Sequence, residues 1–271
     1  MGLNIESAIK YMFKDKDCKK KLLIGSLFMI GMAVLNVMSK VAELIGDMKE
    51  EQLKAYMHLL PQFLIIGSVI FIGASILNIF SSGYFAKNIN LRIFKPDAEL
   101  LEWSDWGNMF LVGIKSTIAV CIYIAVFLLI LMIPVFFIVL SAAVFNKGAV
   151  ILCIIVFILL CLILSVFAAI FFSAASLAFC TNLKFASYFN FPLITKFVTK
   201  NFLEFFIYVL LIFALSTMAN IVNGILALTI VGIVAIPFVL FYQLLVANDL
   251  AAQFVRNTLD MNESAQEQQN S

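Results

Sequence analysis

Charge is what this sequence has least of. Only 13% of its 271 residues are Asp, Glu, Lys or Arg, while 63% are hydrophobic and the mean hydropathy is +1.07. A soluble globular domain carries roughly 25% charged residues, so that class is excluded and an integral membrane protein is indicated. Histidine occurs once, as His58. A metal-binding HExxH helix is thereby excluded, His58 stands at a membrane edge where it is not expected to serve as base to a serine within the spans, and no acid stands near the middle of any long apolar run. Intramembrane hydrolysis therefore has no catalytic group to use. No GxxxxGK[ST] loop is present to cradle a nucleotide phosphate. The sequence predicts a non-enzymatic protein without catalytic residue, metal site or cofactor. The five cysteines form no CxxC pair. Cys121, Cys153, Cys161 and Cys180 fall in or beside apolar runs and Cys18 beside a basic cluster, so disulfides are not expected. The lysines lack the interleaved base-stacking aromatics of a nucleic-acid surface, and no nucleic-acid partner is expected.

What the chain does have is length in its apolar runs. Crossing a hydrocarbon core takes roughly 20 residues at 1.5 Å rise each, and six runs reach that length, at about 22–38, 60–81, 112–140, 149–180, 203–221 and 225–247. They define one all-α, six-span membrane domain over 1–256, followed by a polar, Gln- and Asn-rich tail over 257–271 that is expected to be disordered. Lys and Arg are retained on the cytoplasmic side of a span. Fourteen of the 18 fall in the N-terminus, the second and fourth loops and the C-terminus, against four in the remaining loops. Both termini are therefore expected to be cytoplasmic in a multi-pass protein of the plasma membrane. The stretch VLNVMSKVAE lacks a small-x-small cleavage site, so the first span is expected to be kept.

Both tryptophans, Trp103 and Trp106, stand in LLEWSDWGNMFLVGIK, where a charged segment gives way to the third span. With Phe110 and Ile114 they share one face of a helix. That pattern predicts an amphipathic element at headgroup depth, anchored by the two indoles. The segment DCKKKLLIG, Asp17 to Gly25, aligns without a gap on DWGNMFLVG, Asp105 to Gly113, at an offset of 88 residues. A fainter echo links AKNI, CTNL and ANDL, beginning at Ala86, Cys180 and Ala247. Together these predict three successive helical hairpins, each led by an amphipathic cytoplasmic elbow helix. The third elbow is NFPLITKFVTKNFLEFF, where Pro192 opens a helix and Phe191, Ile194, Phe197 and Val198 give it an apolar face. Such parallel repeats are used in transport bundles.

Pro134 and Pro237 sit inside the third and sixth spans and are expected to kink them. Ser165, Ala169 and Ser173 recur every four residues and predict a central place for the fourth span. The first external loop shows helical spacing at Val41, Leu44, Ile45 and Met48, with a Glu50–Lys54 pair. ANIVNG reads as a tight fifth loop. Intramembrane polar groups are the default functional candidates. Here they are Asn78, Asn182, Asn220 and Asn223, which could line a cavity or join helices, and Glu204 and Asp249, whose carboxylates lie near enough to a span end to snorkel to water.

Across KYMFKDKDCKKKLLIGSL, SSGYFAKNINLR and LLEWSDWGNMFLVGIK the chain resembles the prokaryotic membrane family called domain of unknown function 4013, with weaker likeness through FASYFNFP and VANDLAAQF. The family's first elbow reads Asp-Trp where this chain has Asp17-Cys18. The resemblance implies six spans and a bacterial or archaeal source, and it carries no catalytic residue. The function expected is transport or export across the cytoplasmic membrane. Its partners would be the lipid bilayer and either a second membrane protein, an ATPase subunit or further copies of the chain. The alternative is a scaffold or immunity-type interaction protein that moves no solute.

Overall fold

The computed structural model describes residues 2–48, 60–144 and 147–259, and among these every regular element is helical. The elements are α1 (Ile5–Lys10), a 3-10 turn at Met12–Lys14, α2 (Cys18–Gly46), α3 (Leu60–Phe94), α4 (Trp106–Val144), α5 (Lys147–Asn182), a second 3-10 turn at Phe185–Phe189, α6 (Phe191–Thr199), α7 (Phe202–Leu226) and α8 (Ile230–Thr258). Six of these are long and apolar enough to cross a membrane, over Cys18–Glu43, Leu64–Phe94, Trp106–Phe136, Ile151–Asn182, Phe202–Leu226 and Val231–Thr258. Continuous helix satisfies each backbone N–H and C=O inside its own segment, which a hydrocarbon surrounding demands.

Local chemistry sets the helix starts. Asn4 caps α1 by accepting from the Ser7 N–H at 2.9 Å. Asn190 caps α6 from Leu193, with proline in the first turn as the sequence predicts, and Thr229 caps α8 from Gly232 at 2.9 Å. α3 and α8 occupy the middle of the bundle. α2 packs on both, α4 lies against α3, α5 against α4, and α7 against α8. The short helix α6 lies between α5 and α7, so the ring of spans is completed there by a wedge. A close backbone approach joins α3 to α4. A Cβ on Gly83 would stand 1.8 Å from the Met109 carbonyl oxygen, and one on Gly113 1.9 Å from that of Ile79. Gly25, aligned with Gly113 in sequence, likewise faces a neighbour, with the Phe241 ring 2.2 Å from the place of its Cβ.

Both described chain ends, the 95–105 loop and the 183–190 connection meet at one end of the bundle, as their mutual hydrogen bonds require. Several expectations change in detail. No separate helix precedes α4: residues 95–105 are loop and turn, and α4 begins at Trp106, so Trp103 and Trp106 do not share a helical face. ANIVNG is the end of α7, and the turn falls at 227–229. α8 runs to Thr258, eleven residues past the expected limit of the sixth span and into the expected tail. Ser165 and Ala169 are exposed, whereas Ala174 and Ala178 are fully buried, so α5 is central only towards its C-terminal end. Towards its N-terminal end most described side chains are apolar and exposed, with a half-buried stripe at Cys153, Phe157, Cys161 and Leu164. Glu50, Lys54, His58 and residues 260–271 lie outside the described residues.

Candidate functional site

The polar residues of this apolar chain concentrate at the end of the bundle that holds the chain termini. Arg92 of α3 meets Asp249 of α8 through Nε at 2.8 Å and through Nη2 as well. Gln253, one turn further along α8, donates to the other Asp249 oxygen at 2.7 Å and accepts from the Asn4 N–H at 2.7 Å. The Arg92 guanidinium lies 4.1 Å from the centre of the Tyr11 ring, a cation–π contact, and the Tyr11 hydroxyl donates to Asn88 at 3.0 Å. Burial raises the Tyr11 phenol far above its usual range, against the opposing pull of Arg92 and Asn88, so it remains a neutral donor. Arg256 closes the set with a hydrogen bond to the Arg92 carbonyl. Asp249, a candidate from sequence, is therefore fully buried and ion-paired, and its carboxylate does not snorkel to water.

A second buried pair holds the start of α2. Asp15 accepts from the Lys21 ammonium and from the Leu100 N–H, each at 2.9 Å, and from the Asp17 N–H at 2.7 Å. Lys21 also reaches the Leu100 carbonyl at 2.8 Å and Glu102 at 2.5 Å. Burial works to raise the Asp15 carboxyl, but the donors from Lys21, Asp17 and Leu100 together outweigh it and hold the group below its ordinary value. Trp103 sits above this pair with 7% exposure, stacked on Tyr84 at 4.0 Å and on Phe28 at 5.0 Å between ring centres. It packs inside the protein, which corrects its expected place as an interfacial anchor. Trp106 remains 40% exposed at the bundle surface.

The remaining candidates separate. Asn182 accepts from the Lys184 N–H at 2.9 Å and the Ser187 hydroxyl at 2.7 Å, holding the turn in which Leu183 takes the left-handed φ of 57°. Glu204 accepts from Asn257 at 2.6 Å and ties α7 to the end of α8. Asn220 is exposed, and Asn223 is half-buried near the far end of α7. Of the six candidates, Asn78 lines the cavity described next.

That cavity, of about 240 Å³ and open on one side, lies among α2, α3, α4, α5 and α8. Its polar lining is Asn78, Ser81, Ser82, Ser116, Ser176 and Tyr188, set among apolar residues such as Met32, Phe85, Phe172 and Leu244. Tyr188 and Ser116 share a hydrogen bond of 2.7 Å, and Ser176 lies beside the same phenol. Burial pushes the Tyr188 phenol up to about 12, so it stays neutral. Ser81 donates to the Leu77 carbonyl at 3.0 Å. The Asn78 amide and the Ser82 hydroxyl have no hydrogen-bond partner among the described residues. The serines escaped the sequence reading because a serine on an apolar helix usually bonds the carbonyl one turn back and gives no pattern of its own.

Fold and site together define a multi-pass, all-α membrane protein with a polar-lined pocket among its spans and two buried ion pairs, Arg92–Asp249 and Lys21–Asp15, at one end. The chain belongs to the family described as protein of unknown function DUF4013, whose model matches residues 66–228. That match runs from α3 to just beyond α7. It takes in every pocket residue except those from α2 and α8, and it leaves out KYMFKDKDCKKKLLIGSL, one of the three segments that carry the sequence likeness. No curated protein and no solved structure matches the chain.

Proposed function

We propose that this protein is a non-enzymatic component of transport or export in the cytoplasmic membrane, and that its pocket receives what is moved. The observation that carries the reading is the placement of an amide and a hydroxyl, Asn78 and Ser82, with no hydrogen-bond partner among the described residues, in an open cavity within largely apolar spans. A polar group in hydrocarbon without a partner costs free energy, and a solute that satisfies it recovers part of that cost. The pairs α2–α3, α4–α5 and α7–α8 are read as three copies of one hairpin, consistent with the matching roles of Gly25 and Gly113. The polar end carries most of the basic residues and is assigned to the cytoplasm. Its short helices α1 and α6 serve as elbows. No phosphate loop occurs in the sequence, so ATP-driven movement would need an ATPase subunit docked on that end.

Native mass spectrometry of the protein extracted in a lipid-retaining medium tests this reading. The expected result is a single chain or homo-oligomer retaining a defined small molecule or lipid, which Ser82→Phe displaces by filling the pocket. A chain that carries no such molecule and leaves the membrane with a second protein would overturn it in favour of a scaffold. The scaffold reading has one observation of its own, the uncovered apolar faces of α4 and α5. Deleting residues 41–56 tests the scaffold that docks through the first external loop, which loses its partner while a pathway through the pocket survives.

A further inference from the structure

Resting on the pocket reading, we infer that the ligand is an uncharged single-chain amphiphile, which presents a hydroxyl, ester or amide head to Asn78 and Ser82 and lays its hydrocarbon along Met32, Phe85 and Phe172. Three features of the pocket point to this class. First, no lysine, arginine, aspartate or glutamate lines it, and Arg92, further along α3, is already paired with Asp249, which Gln253 also holds. A charged head would enter without a counter-ion and lose its hydration uncompensated.

Second, the free polar groups offer both senses of hydrogen bond. The Asn78 amide has two donors and an acceptor, and the Ser82 hydroxyl both donates and accepts. They lie four residues apart on α3, on one face and about 6 Å apart along the helix axis. A single hydroxyl or carbonyl head with its neighbouring oxygen spans that distance. The Tyr188–Ser116 pair adds a further neutral wall, already satisfied within the protein.

Third, the size and position of the pocket favour one chain. Its volume of about 240 Å³ holds a small head and the first part of one chain. Asn78 lies 14 residues before Arg92 on α3, about 21 Å along the axis, so the site is reached within the apolar length of the spans. The uncharged half of α5 beyond Phe172 provides an apolar surface for the rest of the chain.

The test uses the full-length protein in lipid nanodiscs and three photoactivatable probes of equal length, a diazirine-bearing hexadecanol, the matching hexadecanoate and the matching quaternary ammonium. Labelled residues are mapped by peptide mass spectrometry. The alcohol is expected to label α3 and α5 around the pocket at least about tenfold more than either ion. Asn78→Ala with Ser82→Ala is expected to lower that labelling about tenfold, the loss of two hydrogen bonds, with the unfolding midpoint unchanged. Equal labelling of the pocket by the carboxylate would overturn the neutral-head inference while leaving the pocket reading standing. Absence of pocket labelling by all three probes, in protein whose unfolding remains cooperative, would overturn both. A double variant that labels as well as the parent would overturn the roles given to Asn78 and Ser82.

Discussion

Arg92 and Asp249 are 157 residues apart in sequence and joined by two hydrogen bonds from one guanidinium to one carboxylate oxygen, with side-chain exposures of 7% and 0%. The pair locks α3 to α8, the two helices at the middle of the bundle. Removing one member leaves the other charged and buried, which costs about 3–5 kcal/mol. Arg92→Ala is expected to lower the thermal unfolding midpoint sharply in detergent, whereas Arg92→Met with Asp249→Leu recovers most of the loss. An exposed, snorkelling carboxylate would give less than about 1 kcal/mol for either single change, so the size of the effect decides the matter.

Acid should loosen the start of α2 through Asp15. Its carboxyl is held below the ordinary value by Lys21, Asp17 and Leu100 against the opposing effect of burial. A depressed folded pKa contributes stability that is complete above the unfolded value, about 3.9, and is lost as pH falls through the folded one. Stability is therefore expected to be flat through this term from pH 7 to about pH 5 and to fall below about pH 4. Asp15→Asn removes the ionisable partner, so it should be less stable than the parent at pH 7 and lose the acid-dependent part of the decline. Unfolding midpoints measured for both proteins from pH 7 to pH 3 check this, and parallel curves would contradict it.

The two tryptophans should report different surroundings. Trp103 lies within the Tyr84–Phe28 stack, and Trp106 is half exposed. In single-tryptophan variants, headgroup-depth or aqueous quenchers are expected to reach Trp106 and spare Trp103. Trp103→Ala opens a cavity worth about 3–5 kcal/mol, while Trp103→Phe keeps most of the ring packing. Equal quenching of the two indoles would restore the interfacial reading for both.

The six spans were legible because a run of about 20 apolar residues admits little else. The alignment of Gly25 with Gly113 likewise pointed to two glycines that both proved to be packing positions. The Arg92–Asp249 pair was not legible, since nothing local to VANDLAAQF indicates which distant cation will face it. Trp103 was misplaced because a period of three or four presumes a helix, and the chain there is a loop whose Leu100 N–H and carbonyl are taken up by Asp15 and Lys21. Ser165 and Ala169 misled because small residues permit close packing without requiring it. Of the polar pocket lining, only Asn78 stood out in advance, since the serines draw together across three helices and no single helix displays the set.

Glycine on α3 gives an internal control for the packing argument. Gly73 and Gly83 lie ten residues apart on the same helix, and a Cβ at Gly73 would meet nothing within 4 Å. Gly73→Ala should therefore be neutral or stabilising by up to about 1 kcal/mol, the helix-propensity gain. At Gly83 the same methyl would fall 1.8 Å from the Met109 carbonyl oxygen and 3.0 Å from the Gly113 nitrogen. Both obstacles are backbone, so no side chain can rotate away and α4 must move off α3. Separation of the two helices opens voids around the crossing, and overpacking of this kind costs about 1–3 kcal/mol or more. Because Ser82 is adjacent and Ser116 lies across the same crossing, Gly83→Ala is also expected to weaken ligand retention in native mass spectrometry, while Gly73→Ala leaves it unchanged. If the two alanine variants proved equally stable, the α3–α4 contact would be looser than described, and the pocket it helps to shape would lose its fixed geometry.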